Sequence, residues 1–354
     1  MAILDIFNED AFGLVSMSKA VQKRPFVPQG LAAMGIFQTQ RIRTESIAIE
    51  YGNSKLKLIQ TSRRGDPIEQ LGKRKQTIKS YATSRIAEGS RIMASELDFL
   101  RSMNQEQGMV TLAQELANRL GHGDNIGILD DVELTMENMR LGAVQGKVLD
   151  ADGSIITDWT SEFHNSTDNG GTGTRKTVVW DLAPAKDGGF RRQCNEVRRE
   201  IIKGSGGTFK QNSKIINLCS AGFYDTLIEM KEVRESYRNQ ENAYYVKGGD
   251  VFDSFEYPSG MVWKDYRGTD EMTGANSVNI PTDECVTFPS KTQGGFLEVF
   301  AHGETFEDNG TLGQRYYAKT VRDREDTYVD IKGLSYPLLV CTIPESLRRG
   351  TIKQ

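Results

Sequence analysis

The sequence predicts an α+β chain whose helices and strands are grouped rather than strictly alternating. Three observations carry this. A period-two, strongly basic ribbon lies near the N-terminus, helical periods fill the middle, and short apolar strands crowd the last third.

The totals set the frame. The chain has 354 residues, 38% of them hydrophobic. This length allows two or three domains and a sizeable core, yet the apolar share is lean. Lean content at this size points to an elongated shape or to surface buried only on assembly. The formal net charge of −4 argues against nucleic-acid binding by bulk electrostatics. No stretch approaches the ~20 apolar residues of a membrane span. The opening "MAILDIFNED" has no basic leader and does not read as a secretory signal. Cys194, Cys219, Cys285 and Cys341 are far apart and without a metal-binding spacing, so they read as buried free thiols.

Residues 1–36 have no sustained period and contain Pro25 and Pro28, which suggests an extended arm. From residue 44 the period is two. Ile47, Ile49 and Tyr51 share one face, Gly52-Asn53 suits a turn, and Leu56 and Leu58 share the next face. A third alternating piece, 76–82, sets Ile78 between polar neighbours. An isolated hairpin is marginal in water, so this one has to rest on something. Its charge is lopsided. Residues 41–85 hold eleven Lys/Arg against four acids, +7, so the rest of the chain is −11. Such asymmetry suggests that one part of the chain meets another.

Helical periods follow. Leu112, Leu116 and Leu120 repeat every four residues, and Gly121 suits the end of that helix. A second helix is expected to open at Asp130, with Glu133 in capping-box position, and to run to Gln145. "GKVLDADGSIITDWTSEF" reads as a hairpin turning at Asp152-Gly153, and 164–174 as a loop. Phe190, Cys194, Val197 and Ile201 form one stripe of a helix over 190–203, flanked by five basic residues. A buried strand at 215–219 and a helix from about Ala221 come next. The remainder is strand-rich: a hairpin in "DVFDSFEYPSGMVWKDYRG", strands near Val286, 297–301, 316–321 and 328–331, and the apolar run "YPLLVCTI".

Motifs for chemistry are weak. His122, His164 and His302 are too dispersed for a zinc or His-based site. "GHGDNIG" follows a helix rather than a strand, and "KGSGGT" lacks the ending of a phosphate loop. Asp130-Asp131 suits a helix start, and the acids at 323–326 suit a solvated turn. No catalytic, cofactor-binding or metal-binding residues are assigned, and no enzyme activity is expected. The basic ribbon allows three readings: a solvated surface, a phosphate-binding arm, or half of a protein–protein contact. Few aromatics interleave with the charges, as a nucleic-acid arm would prefer, and the rest of the chain supplies the opposite sign. The protein contact is therefore preferred, with Ile47, Ile49, Tyr51, Leu56, Leu58, Arg63, Arg64, Lys73, Arg74 and Lys75 as its residues. Nucleic-acid binding through 41–85 is the alternative.

The order of parts resembles a tailed-bacteriophage major capsid protein of the Hong Kong 97 fold, most of all the major capsid protein E family of the phage lambda head protein. The likeness rests on the 37–95 ribbon, on "DDVELTMENMRLGAVQGKV" leading into "LDADGSIITDWTSEF", on "FRRQCNEVRREIIKGSGGTFKQNSKIINLCSAGFYDTLIEM", and on the final "REDTYVDIKGLSYPLLVCTIPESLRRGTI". The resemblance implies an N-terminal arm (1–36), an extended loop (37–95), and a peripheral domain (96–165) with a spine helix at about 130–145. It also implies an axial domain (166–280), a return to the peripheral domain (281–334) and a C-terminal axial strand (335–354). It further implies a shell subunit of the virion capsid, assembled in the host cytoplasm as hexamers and pentamers. A portal, a scaffold protein and in some cases a decoration protein would be partners. Packaged double-stranded DNA would lie near without specific contact, and no membrane is involved. The sequence starts almost at the arm, so the scaffold is expected to be a separate polypeptide. Lys55, Lys57, Lys73, Lys75 and Lys79 lie in the loop, but no motif marks any of them for covalent cross-linking, and none is expected.

Overall fold

A computed structural model describes residues 30–52, 76–96, 115, 119–121, 127–163, 175–183, 188–205, 207–210, 212–238, 254–269, 278–325 and 327–353. In chain order the elements are α1 (Gly30–Ala33), β1 (Gln38–Arg41), β2 (Ser46–Gly52), β3 (Gln76–Ala82), β4 (Ile86–Met93) and α2 (Ile128–Gln145). Then come β5 (Lys147–Leu149), β6 (Ile155–Asp158), α3 (Trp159–Glu162), β7 (Lys176–Trp180), α4 (Gly189–Gly204), β8 (Ile215–Cys219), α5 (Ala221–Glu229) and α6 (Lys231–Arg238). The last part holds β9 (Ser254–Glu256), β10 (Met261–Asp265), β11 (Glu284–Pro289), β12 (Phe296–Phe300), β13 (Tyr317–Arg322), β14 (Tyr328–Ser335), β15 (Pro337–Cys341) and β16 (Arg348–Ile352).

The helix α2 is the long element of the middle. It starts at Ile128, two residues before the expected opening. The reason is the role of Asp130. It sits at the third helical position and its carboxylate reaches back to accept the Gly127 N–H at 3.1 Å. It therefore serves the residue before the helix, and Glu133 makes no cap. At the other end Gly146 adopts φ 87° and donates its N–H to the Ala143 carbonyl at 3.0 Å, closing the helix and turning the chain straight into β5. The apolar stripe is split between two cores. Ile128, Val132 and Met136 pack with Phe300 and Ile331, whereas Met139, Ala143 and Val144 enter the largest core.

A six-stranded mixed sheet has the order β7-β16-β11-β8-β10-β9. Its strand β8 is buried on both faces, which accounts for its near-continuous apolar run. Ile215 and Cys219 point into a core with Trp180, Phe190, Cys194, Phe223 and Trp263, while Leu218 joins the largest core. Period-two geometry thus makes this strand a wall between two cores. The expected stripe of α4 is observed residue for residue: Phe190, Cys194, Val197 and Ile201 are its buried side chains. The hairpins β5–β6 and β9–β10 also form as read.

Two smaller sheets have the orders β1-β12-β15 and β13-β14-β4. Strand pairing runs across the expected segments. Strand β11, within 281–334, pairs with β8 of the six-stranded sheet, and β15, within 335–354, pairs with β12 outside it. Only β16 returns to the six-stranded sheet, after the 3-10 turn Pro344–Ser346. The reason is that hydrogen-bonding partners, not chain segments, define a sheet, and the last strands pass from one sheet to the next. Leu31 and Ile36 are buried in the largest core, and the Leu31 N–H donates to Glu137 Oε1 at 2.7 Å.

Candidate assembly surface

The ribbon is where the sequence placed the functional residues. Strand β2 pairs antiparallel with β3, Ile47 opposite Tyr81, Ile49 opposite Lys79 and Gly52 opposite Gln76. Beyond Gly52, the expected turn at Gly52-Asn53 and the returning strand with Leu56 and Leu58 lie outside the described residues. The partner of β2 is the later alternating piece, whose Tyr81 adds an aromatic to the face that holds Ile47 and Ile49. Leu56, Leu58, Arg63, Arg64, Lys73, Arg74 and Lys75 lie outside the described residues, as do Leu112 and Leu116, 164–174 and most of 1–36. Tyr51 is described by its backbone alone, within β2.

The base of the ribbon rests on its own chain. Asp158 caps the one-turn helix α3, accepting the N–H groups of Thr160 and Ser161 at 3.0 and 3.4 Å. This turn aims Trp159 and Phe163 into the core and Glu162 at the ribbon. Tyr81 meets the edge of Trp159 at a centroid distance of 5.0 Å, and its hydroxyl donates to Glu162 Oε2 at 3.0 Å. Lys79 Nζ donates to the same oxygen at 2.6 Å. The Lys79 hydrogen bond, then that of Tyr81, hold the Glu162 carboxyl below its ordinary range. Burial first, and the Glu162 charge second, push the Tyr81 phenol up. Ile47 and Ile49 are half-buried against the largest core. Trp159 and its surroundings thus cover the base of this face within the same chain.

The other face is different. Ile78 stands opposite Glu50 and is 68% exposed. Sequence reading noticed Ile78 but assigned it no role. Two more projections carry exposed apolar side chains that it missed. Ile155 and Ile156 are exposed on the β5–β6 hairpin, and Phe306 is fully exposed between β12 and β13. The Phe306 loop is held from within: Thr305 and Asp308 bond each other, and the Thr311 hydroxyl donates to the Asp308 carbonyl at 2.6 Å. Gly313 donates its N–H to the Ile42 carbonyl at 3.0 Å, and Glu304 pairs with Arg85. The signal available in the sequence was a lone aromatic inside the turn-forming stretch "GETFEDNG".

Behind these surfaces lies a buried charge network. Arg140 on α2 donates to Glu298 Oε1 of β12 at 2.7 Å, and to Glu137 and Glu133 at 3.3 and 3.5 Å. Arg315 donates to Glu133 at 2.9 Å, and the Tyr266 hydroxyl to Glu137 at 3.4 Å. Burial works against the Arg140 charge, but Glu298, then Glu133 and Glu137, outweigh it and raise its pKa. Burial raises the Glu137 carboxyl, partly offset by the Leu31 N–H and Arg140. The network joins the end of the N-terminal segment, the long helix, β12, the chain after β10 and Arg315 before β13, and so links five separate stretches of chain. Among the described residues no group of three or more His, Cys, Asp or Glu side chains could hold a metal ion. No described helix is long and apolar enough to cross a membrane.

Comparison with solved structures finds the same architecture in capsids. The Cyanophage Pam1 capsid asymmetric unit matches with a TM-score of 0.52 at 10% identity, over 92% of this chain and 93% of that one. The capsid of the native GTA particle matches with a TM-score of 0.50 at 8% identity, over 99% of each chain. At such identities the likeness establishes the fold, a mixed helix–sheet capsid architecture. None of the curated proteins matches the sequence. A family model does: the one described as Phage major capsid protein E covers residues 13–352, nearly the whole length, and the chain belongs to that family.

Proposed function

We propose that this major capsid protein is the head subunit of a tailed double-stranded DNA bacteriophage, assembling as hexamers and pentamers into an icosahedral shell. The observation that carries this is the β2–β3 ribbon. Its base is fixed to its own chain through Glu162 and Trp159, while Ile78 is left open on the opposite face. A fixed base gives direction, and an open apolar face gives something to bury. Closed shells are built from many such heterologous contacts repeated by symmetry.

In this reading α2 is the spine helix. The six-stranded sheet with α4, α5 and α6 is the axial domain around which capsomers form, and the smaller sheets belong to the peripheral domain. The ribbon is the extended loop lying on a neighbouring subunit, with Arg63, Arg64, Lys73, Arg74 and Lys75 meeting acidic surface there. Complementary charge would set register and orientation more than affinity. Scaffold protein, portal and, where present, a decoration protein would join during assembly in the host cytoplasm. The nucleic-acid alternative draws no support from the family or the fold.

Negative-stain microscopy of the chain expressed with its neighbouring phage genes tests the proposal. Shells, or rings of five and six subunits, are the expected result. A monodisperse monomer that binds DNA with a steep salt dependence would overturn it.

A further inference from the structure

We propose that Cys219 and Cys285 are an oxidisable thiol pair, which closes into a cross-strand disulfide inside the six-stranded sheet once the chain leaves a reducing compartment. The sequence reading made them two unrelated buried thiols. The register makes them direct partners: Cys219 of β8 stands opposite Cys285 of β11 in an antiparallel pair.

The hydrogen-bond phase decides what such a pair can do. Ser220 N–H donates to the Glu284 carbonyl at 3.0 Å, and Ser290 N–H to the Lys214 carbonyl at 2.7 Å. Pairs in phase with these are hydrogen-bonded, which places Cys219–Cys285 at a non-hydrogen-bonded position. Pro289, which has no N–H to give, occupies another position of the same kind opposite Ile215. At non-hydrogen-bonded positions the Cα atoms approach to ~4.5 Å and the side chains lie closest. That separation falls within the range spanned by disulfides. The neighbouring pair in this phase shows how near the side chains come, since Thr287 Oγ1 donates to Asn217 Oδ1 at 2.8 Å. Both thiols enter the same core, and they interact with each other.

The surroundings leave room for the sulfurs and little else. Gly350 of β16 is the next partner of Cys285, and a Cβ there would fall 2.2 Å from Cys285 Sγ. The third thiol of this core, Cys194, comes from α4 and has no strand register with either. Cys341 lies in the other core.

The reaction takes a low-molecular-weight disulfide, such as oxidised glutathione, as electron acceptor. Two S–H bonds break, one S–S bond forms between Cys219 and Cys285, and the acceptor leaves as two thiols carrying the two protons and two electrons. Complete burial makes exchange slow, because the attacking thiolate is scarce and the acceptor enters only when the centre of the sheet opens. In a reducing cytosol the pair stays open. Outside the cell, oxidation would tie β8 to β11, neighbouring strands from distant parts of the chain.

The test uses the full chain, purified reduced and then incubated with oxidised glutathione. A second sample is refolded from denaturant in a glutathione redox buffer. Non-reduced peptide mapping by mass spectrometry reads the product. The expected result is a linked Cys219–Cys285 peptide lighter by two hydrogens in at least one sample. It should be lost in Cys285→Ala and kept in Cys341→Ala, with a thermal midpoint roughly 5 °C higher than the reduced form. Links through Cys194, single glutathione adducts only, or all four thiols still titrating after both treatments would overturn the proposal.

Discussion

The ribbon and the six-stranded sheet are both antiparallel at their centres, but one is finished and the other is not. In the sheet, Trp180, Phe190, Phe223 and Trp263 are fully buried and pack against one another, Trp180 meeting Trp263 edge-on with centroids 5.2 Å apart. In the ribbon, one face touches Trp159 and Glu162 while Ile78 faces water. Two strands cannot bury both of their faces, whereas six strands with helices packed on them can. Under the proposed assembly, the difference separates the part that folds on its own account from the part that another copy would complete.

The largest test of that contrast is in the finished region. Phe190→Ala removes a ring packed against Trp180, Tyr257 and Trp263. It is expected to cost about 3–5 kcal/mol of unfolding free energy in urea titration. A loss below ~1 kcal/mol would mean that this core is not closed as described.

Next is the buried network. Arg140→Met leaves Glu298 and Glu137 without their guanidinium in a site where Arg140 is 1% exposed. The expected loss is about 3 kcal/mol, read by the same titration. Because Glu137 also holds Leu31, hydrogen exchange should quicken at the Leu31 amide, and an unchanged rate there would separate the two roles.

The ribbon should respond weakly in the monomer and strongly in assembly. Ile78→Ser is expected to change monomer stability by less than ~0.5 kcal/mol, since the side chain is already in water. Particle yield counted by microscopy should nevertheless fall. Normal yield would move the assembly contact away from this face, towards the exposed Phe306 or Ile155.

The smallest effect is at the base. Glu162→Gln weakens the contacts of Lys79 and Tyr81, both partly exposed, at an expected ~0.2–1 kcal/mol. The Glu162 carboxyl is held below its ordinary value in the folded chain. Its contribution is therefore present above the unfolded carboxylate pKa and is lost as pH falls through the lower folded value. Amide exchange in β2 and β3, corrected for intrinsic rates, should lose protection in acid in the native chain but not in the Glu162→Gln variant.

Much of the fold was legible in the residues because it follows local period. The stripe of α4, the apolar run of β8, the β5–β6 turn and the apolar run of β15 each report on neighbours a few positions away. The candidate surface was legible in part. The excess of charge and the two-faced pattern marked the ribbon, but not its pairing. Two later pieces could have served as the partner of β2. The choice of 76–82 depends on Tyr81 reaching Trp159 and Lys79 reaching Glu162, contacts between residues about eighty positions apart in the chain. Phe306 was passed over because one aromatic in a polar turn has no period.

The sequence by itself determined the class of the chain, its helical stripes and strand alternations, and the imbalance of charge between 41–85 and the rest. These are properties of adjacent residues, set by backbone geometry and side-chain polarity. Only the tertiary structure decided which strands share a sheet, why β11 and β16 enter the six-stranded sheet while β15 does not, and which thiols face each other. Those outcomes depend on hydrogen-bond register between strands distant in the chain, and no local pattern specifies it.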